Sequence, residues 1–277
     1  MCQTADARKN QSDFSWHLLS DTNYFSCCNL LSNAVSSMQE GQVTMSAEMN
    51  TQVDSPAFLL PHAFAGTLIA AEGLDGSGKS TQFRLLKFWL QAEGYEVITT
   101  ELTSSKLIKR ALKVGKKQGL MDPMLLSILH AVDFAELYER EIVPALKRGS
   151  VVLADRYVYT ALARDLARGV EQDWIQNVYS FAARPDLSLY FQLSVDESLE
   201  RTMSHQERVK YYQAGMDLGL SRDPTASFRA FQQRILQAYE NMIDPYHMLR
   251  LDATLPIKQQ QQILRDAIAD ILSGEQA

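Results

Sequence analysis

A glycine-rich run that ends in lysine and serine has the residue types best suited to chemistry in this sequence. Residues 73–80 read Gly-Leu-Asp-Gly-Ser-Gly-Lys-Ser and fit the pattern G-x-x-x-x-G-K-[ST]. In that pattern backbone N–H groups surround phosphate oxygens, and the positive end of the following helix adds to the attraction. Lys79 would reach the β- and γ-phosphates of a nucleotide, and the Ser80 hydroxyl would ligate Mg²⁺. The expected nucleotide-binding residues are Gly73, Leu74, Asp75, Gly76, Ser77, Gly78, Lys79, Ser80 and Thr81.

The residues around this run favour a nucleotide-binding loop over a glycine-rich turn that matches by chance. Thr67–Glu72 is a short apolar run typical of a buried strand, and Lys79–Ala92 has apolar residues at helical spacing. Further strands are predicted at 95–101, 151–155, 187–193 and 247–252, and helices at 105–117, 123–147, 159–167, 173–183, 225–242 and 256–272. Strands that alternate with long helices are typical of α/β proteins, so we expect a five-stranded parallel sheet with helices on both faces.

Composition divides the 277-residue sequence near residue 65. Residues 1–65 have two basic and six acidic side chains and all three cysteines (Cys2, Cys27 and Cys28), so most of the net charge of −6 lies there. They are rich in Ser, Asn, Gln and Thr and show no sustained apolar period. We therefore expect a flexible, disordered extension at 1–65 and one folded domain at 66–277.

Cysteine content and hydropathy exclude several classes of protein. A domain at 66–277 without cysteine is neither a disulfide scaffold nor a thiolate metal site. No apolar run approaches the ~20 residues that cross a bilayer, and the N-terminus has no pattern of a secretory signal. The negative net charge disfavours a general nucleic-acid-binding protein. We expect a cytoplasmic protein with neither a membrane nor a nucleic-acid partner.

Three segments resemble the thymidylate kinase family. Residues 72–82 are similar to the family's E-G-x-D-G-x-G-K-S/T-T-Q loop, and Asp155-Arg156-Tyr157 resembles its D-R-Y/x signature. Leu129–Ala135 occupies the place of the family's L-F-A-A-D-R-A helix, and the similarity runs from about Leu68 to Leu272. The resemblance implies a three-layer P-loop kinase fold and a homodimer. It also implies ATP- and Mg²⁺-dependent phosphoryl transfer to a nucleoside monophosphate, nominally dTMP.

The resemblance also implies roles for particular residues, and their chemistry agrees with it. Asp155 would coordinate Mg²⁺ through water, and Arg156 would bind the acceptor phosphate through two N–H groups. Such cations are needed because both reactants of the transfer are anionic. Asp75 resembles the carboxylate that faces the sugar hydroxyl of the acceptor. Lys109 roughly matches an arginine near the acceptor phosphate. It lies on a basic helix, most of whose other lysines are expected to form a solvated face.

A lid over the phosphates is expected because hydrolysis of the donor is the competing reaction. Residues 205–222 are the candidate segment and contain the cations Arg208, Lys210 and Arg222. Because Gly76 stands where some thymidylate kinases have an arginine, a lid cation should compensate. We predict that Arg208 does so, and the alternative is a solvated helix charge.

The acceptor side departs from the family pattern. His130 replaces a phenylalanine expected to stack on thymine, and Phe134 replaces an arginine expected to bind the acceptor. Arg164 and Asp165 stand where an aromatic residue and an amide would line the base. The expected acceptor-binding residues are Asp75, Lys109, His130, Arg156, Tyr157, Arg164 and Asp165. Two alternatives stay open: a kinase with another phosphate or hydroxyl acceptor, and a non-catalytic module that responds to nucleotide.

Overall fold

Five parallel strands form one sheet, as the alternation of strand and helix patterns predicts. The computed structural model describes residues 58–102 and 106–274. The strands are β1 (Thr67–Glu72), β2 (Val97–Glu101), β3 (Val151–Asp155), β4 (Leu187–Gln192) and β5 (Leu249–Asp252). Their order in the sheet is β2-β3-β1-β4-β5. Ala71 near the end of β1 is in register with Asp155 at the end of β3. The glycine-rich run and the Asp155-Arg156 pair therefore leave the sheet at the same edge.

Helices cover both faces of the sheet. They are α1 (Lys79–Ala92), α2 (Lys106–Gln118), α3 (Pro123–Leu137), α4 (Val143–Lys147), α5 (Val158–Leu166), α6 (Gln172–Tyr179), α7 (Val195–Met203), α8 (Pro224–Glu240) and α9 (Ile257–Ser273). The predicted helix at 123–147 is continuous from α3 to α4 through the π-helical turn Tyr138–Ile142. The helix predicted at 173–183 is shorter and ends at Tyr179.

The side chains of the central strand alternate between two apolar layers. Leu68 and Ala70 of β1 pack with residues of α3, α5 and α8, whereas Ile69 and Ala71 pack with residues of α1 and α9. All four of these strand residues are fully buried. Burial on both faces is the reason why β1 has no polar alternation until Glu72. The predicted three-layer α/β fold is confirmed.

Helix α7 is absent from the sequence prediction, which left the residues between β4 and the lid unassigned. Ser194 is its N-cap: its hydroxyl accepts a hydrogen bond from the N–H of Glu197, and the Glu197 carboxylate accepts one from the N–H of Ser194. This reciprocal capping box is visible in the sequence as S-x-x-E. The helix brings Arg201 beside the glycine-rich loop.

Residues before β1 pack against the domain from Phe58 onward. Leu59 is buried, the Leu60 carbonyl accepts a hydrogen bond from the N–H of Arg184, and His62 pairs with Asp186 at 3.1 Å. Residues 58–65 thus contact the domain, although composition assigned them to the extension. Residues 1–57, with the three cysteines, lie outside the described part, so the disordered extension stays a prediction. Over residues 58–102 and 106–274, the structure contains no helix with both the length and the hydropathy of a membrane-spanning segment.

Candidate active site

The glycine-rich loop turns tightly between β1 and α1, and its glycines are required by its backbone. Gly73 has a φ of +137°, and a Cβ there would lie 2.5 Å from the carbonyl oxygen of Phe191. Gly78, at the N-cap of α1, has a φ of +89°. Residues other than glycine rarely adopt such backbone angles. The loop can therefore present backbone N–H groups at the first turn of α1, where the helix dipole attracts anions.

Lys79 lies folded under the loop. Its Nζ donates to the carbonyl oxygens of Gly73 (3.1 Å) and Leu74 (2.8 Å) and to the hydroxyl of Ser77 (2.9 Å). Burial lowers the pKa of Lys79 to about 7, and the charge of Arg156 acts in the same direction, against the carboxylates of Asp155 and Asp75. A bound phosphate beside this ammonium would replace loop carbonyls as its partner.

Ser80 and Asp155 meet at the edge of the sheet, as their predicted shared role requires. The Ser80 hydroxyl donates a hydrogen bond to the Asp155 carboxylate. Both residues line a cavity of about 350 Å³ with Gly78, Lys79 and Thr81, here called the phosphate-loop cavity. One hydroxyl and one carboxylate fit Mg²⁺, which keeps several waters and completes its octahedron with substrate phosphates. Among the described residues no group of three or more carboxylates, histidines or cysteines offers a fuller metal cage.

Arg156 adopts a left-handed backbone conformation with a φ of 74° at the end of β3. Its guanidinium forms an ion pair with Asp75 and donates to the Gly73 carbonyl at 3.3 Å. Burial alone would raise the pKa of Asp75, but the charges of Arg156, Lys79 and Lys210 and the hydrogen bond from Gln213 together outweigh it, so the pKa lies below the ordinary value. Asp75 therefore stays ionised, and a guanidinium and a carboxylate face each other at the loop.

A second cavity of about 450 Å³, here called the α5–α8 cavity, opens on the other side of this ion pair. Leu126 and His130 of α3 line it, together with residues of α5 and α8. The latter are Thr160, Arg164, Phe231, Gln232, Ile235 and Tyr239. Asp75, Glu101 and Arg156 line this cavity and the phosphate-loop cavity alike. The two spaces thus meet at one cation.

Of the residues predicted to bind the acceptor, the structure brings Asp75, His130, Arg156 and Arg164 to the α5–α8 cavity. The other three lie elsewhere. Asp165 is fully buried and accepts hydrogen bonds from Ser127 and from Arg164 Nε at 3.3 Å. The Tyr157 hydroxyl donates to the carbonyl of Ala183 inside the core. Lys109 is exposed on α2 and lines neither cavity.

Phe134, which stands where the family has an arginine, belongs to the core. Its ring contacts those of Tyr138, Tyr157 and Tyr179 at centroid distances of 5.1–5.8 Å. Phe134 is 1% exposed, so it does not supply a group to the α5–α8 cavity. A guanidinium reaches that cavity from α5 instead, through Arg164.

The cations of the lid segment are distributed differently from the prediction. Arg208 is exposed and lines neither cavity, whereas Lys210 lines the α5–α8 cavity. The cation beside the loop is Arg201 of α7, whose Nη1 donates to the carbonyl oxygens of Gly76 and Ala253, both at 3.2 Å. A Cβ at Gly76 would lie 3.0 Å from the Arg201 Cβ. The capping box at Ser194 was the sequence signal that could have placed this arginine.

Two further residues that the sequence reasoning missed join the lid segment to the site. Gln213 donates from Nε2 to Asp75 Oδ2 at 2.6 Å. Arg168, just after α5, donates to Asp217 at 3.0 Å and to the Tyr212 carbonyl at 2.9 Å, and it lines the α5–α8 cavity. No local pattern marks these contacts because each joins residues far apart in sequence. Residues 212–217 are thereby held against the site.

Comparisons with known proteins match the chain to one family. A family model described as Thymidylate kinase matches residues 71–263. The chain is 38% identical over 210 residues to "Probable thymidylate kinase 2" of Saccharolobus solfataricus, covering 76% of this chain and 98% of that protein. It is 44% identical over 142 residues to "Probable thymidylate kinase" of Pyrococcus horikoshii, covering 49% of this chain and 69% of the relative. For the protein of that name from Thermococcus onnurineus the identity is 42% over 142 residues, covering 48% and 69%.

Proposed function

Because the chain belongs to the thymidylate kinase family, we propose that it transfers the γ-phosphoryl group of ATP to dTMP, giving dTDP and ADP. The observation that carries this proposal is that Asp75 and Arg156 line both cavities. A donor phosphate in the phosphate-loop cavity and an acceptor phosphate in the α5–α8 cavity would meet at one guanidinium. Transfer between two anions depends on such positioning and charge neutralisation.

The donor side of the mechanism rests on the loop and the end of β3. The loop N–H groups and Lys79 would hold the β- and γ-phosphates and neutralise charge on the transferring group. Ser80 and Asp155 would hold Mg²⁺, and the ion would supply Lewis-acid stabilisation of the phosphate oxygens. Arg201 would lie over the loop at Gly76, where it already contacts the carbonyl oxygen.

The acceptor side rests on Arg156 and the walls of the α5–α8 cavity. Arg156 would bind the acceptor phosphate, which requires that its pairing with Asp75 loosens or is shared. Arg164 lies on α5, six residues after its first residue Val158, which corresponds to about 9 Å along the helix. A guanidinium there donates hydrogen bonds only, and the carbonyl groups of a thymine ring are matching acceptors. His130 and Phe231 would border the ring.

An acceptor panel tests the proposal. The purified full chain is given ATP, Mg²⁺ and one monophosphate at a time (dTMP, dUMP, dCMP, dAMP, dGMP or UMP), and ADP release is measured together with the product diphosphate. We expect the highest kcat/KM with dTMP. ADP release above background with none of them would contradict the proposal. ATP binding without turnover would then favour the nucleotide-responsive module.

We predict that Arg201, rather than Arg208, supplies the cation beside the loop. Arg201→Ala should lower kcat/KM for ATP about 10- to 100-fold, because a hydrogen bond to a charged group contributes about 1.5–3 kcal/mol. Arg208→Ala should change it less than about threefold, as expected for an exposed charge. Steady-state kinetics with varied ATP measure both. The reverse order of the two effects would restore Arg208 as the lid cation.

We propose a homodimer through α3. Its outer face carries the exposed apolar side chains Met124, Leu125, Ile128 and Val132, at helical spacing. An apolar stripe of this kind is unusual on a solvated helix and typical of an interface. Ile128→Glu should shift the mass measured by light scattering from dimer to monomer. The matched substitution Ile263→Glu on α9, at a residue 39% exposed, should leave the mass unchanged; a wild-type monomer would contradict the proposal.

A further inference from the structure

Glu72, the last residue of β1, is a fully buried carboxylate to which the mechanism above assigns no role. Its Oε1 accepts a hydrogen bond from the N–H of Tyr157 at 2.9 Å. Its Oε2 accepts from the hydroxyl of Thr160 and from that of Tyr239 at 3.1 Å. One side chain thus joins the strand before the phosphate loop to the start of α5 and to α8, the helix that follows the lid segment.

These contacts are adjacent to the backbone of Arg156. The N–H of Arg156 donates to the Ala71 carbonyl, and the next N–H, that of Tyr157, donates to Glu72. Tyr157 is the N-cap of α5, and its own side chain does not cap the helix. Glu72, on β1, therefore accepts from the N-cap N–H of α5, as the glutamate of a capping box does, and its carboxylate also favours the helix dipole. The left-handed conformation of Arg156 is strained and persists only if its neighbours are held in this way.

The side chain of Arg156 is tied to the same group. Its Nη1 donates to Thr160 Oγ1 at 3.3 Å, and that hydroxyl donates to Glu72. The carboxylate therefore orients both the backbone and the guanidinium of the residue at the junction of the two cavities. We propose that ionised Glu72 is a positioning residue for Arg156 in acceptor binding. The proposal rests on the proposed function, because it concerns the same site.

The charge state of Glu72 can be changed near neutrality. Burial raises its pKa to about 7, against the hydrogen bonds from Thr160 and Tyr157 and the charge of Arg156. The other titratable groups that interact with it are Lys79 of α1, Tyr159 of α5 and Tyr239 of α8. Above pH 7 the carboxylate is mostly ionised and accepts all three hydrogen bonds. Below pH 7 it gains a proton, donates in one of them and loses its attraction for Arg156.

Glu72→Gln tests the proposal because it keeps the volume and the hydrogen bonds while removing the charge. The Gln oxygen can accept from Tyr157, and its amide can donate to the two hydroxyls, which rotate. We would measure kcat/KM for dTMP, and the KM for ATP, between pH 5.5 and 8.5 in both proteins. The ratio of wild type to variant cancels ionisation of the substrates. Glu240→Gln is the control, since Glu240 lies next to Tyr239 on α8 but contacts Tyr190 and Gln192.

We expect the ratio for dTMP to be about tenfold at pH 8.5 and to approach one at pH 5.5, with the KM for ATP within threefold. Glu240→Gln should give a ratio near one throughout. A ratio that is large but independent of pH would show a merely structural role, and a ratio of one at pH 8.5 would show no role. An inactive wild type would instead contradict the proposed function.

Thermal unfolding gives a second readout that needs no turnover. Because the pKa of Glu72 is higher in the folded than in the unfolded chain, its contribution to stability is lost as pH rises through about 7. The Tm of the wild type should therefore fall relative to that of Glu72→Gln between pH 5.5 and 8.5. A constant difference in Tm over that range would overturn the proposed change of charge.

Discussion

Replacing Lys79 by methionine is expected to lower kcat about 10²–10³-fold, the loss seen when one preorganised donor to the transition state is removed. Lys79 is buried beside the loop and donates to the Leu74 carbonyl. In the proposed mechanism its ammonium neutralises the charge that develops on the transferring phosphoryl oxygens. The KM for ATP should rise much less than kcat falls, because the interaction strengthens in the transition state. Steady-state kinetics at saturating dTMP measure both constants.

Lys87→Met is the matched control for this prediction. Lys87 lies on the same helix, eight residues later, and lines neither cavity. Its kcat should stay within about twofold of the wild type. If Lys79→Met retained most of its turnover while its Tm matched that of the wild type, the assigned phosphate role of Lys79 would be wrong.

Arg156→Ala should reduce kcat/KM for dTMP by at least 30-fold. Truncating one partner of a hydrogen-bonded charge pair costs about 2–5 kcal/mol, which corresponds to roughly 30- to 4000-fold. In this site the loss leaves Asp75 facing the incoming phosphate without its partner. Kinetics with varied dTMP provide the measurement. Arg148→Ala, which removes an exposed guanidinium paired with Glu96, should have no comparable effect.

Arg156→Gly separates the side chain from the strained backbone. Glycine adopts the φ of 74° at no steric cost, so this variant should unfold about 2–4 °C above Arg156→Ala, for about 1 kcal/mol of relieved strain. It should nevertheless be as inactive as the alanine variant. If the glycine variant regained activity, the guanidinium would not be the group that binds the acceptor phosphate.

The glycine-rich loop could be located from the sequence because the features that define it are local. An apolar strand, a glycine-rich turn and a helix follow one another within 26 residues, from Thr67 to Ala92. Each is specified by its own residues: β-type apolar residues, glycines at positive φ, and apolar side chains at helical spacing. The same holds for Asp155, the last residue of the buried strand β3, and for Arg156, which follows it.

The residues that line the α5–α8 cavity could not be predicted in this way, as Arg164 and Asp165 show. The two residues are adjacent, but successive positions on a helix point about 100° apart. Arg164 lines the α5–α8 cavity, whereas Asp165 is fully buried against Ser127. Which of them faces the cavity depends on how α5 packs on α3 and α8, and no pattern within α5 states that.

Arg201 illustrates a second limit. The capping box that starts α7 is a sequence signal, but the contact of Arg201 with Gly76 joins residues 125 positions apart. The strand order decides whether this contact forms, because β4 lies directly beside β1 and so brings α7 to the loop. Exposed Arg208 has the same charge and a suitable position in the sequence, yet the chain does not bring it to either cavity.

By itself the sequence determined the glycine-rich loop with its flanking strand and helix, since hydrogen bonding and backbone angles there are set by consecutive residues. Tertiary structure alone decided the rest: which cations surround the junction of the two cavities, which side chains line the α5–α8 cavity, and that buried Glu72 contacts the residues next to Arg156. The physical reason is that these contacts arise between strands and helices far apart in the chain. They exist only once burial of both faces of the sheet has chosen how those elements pack.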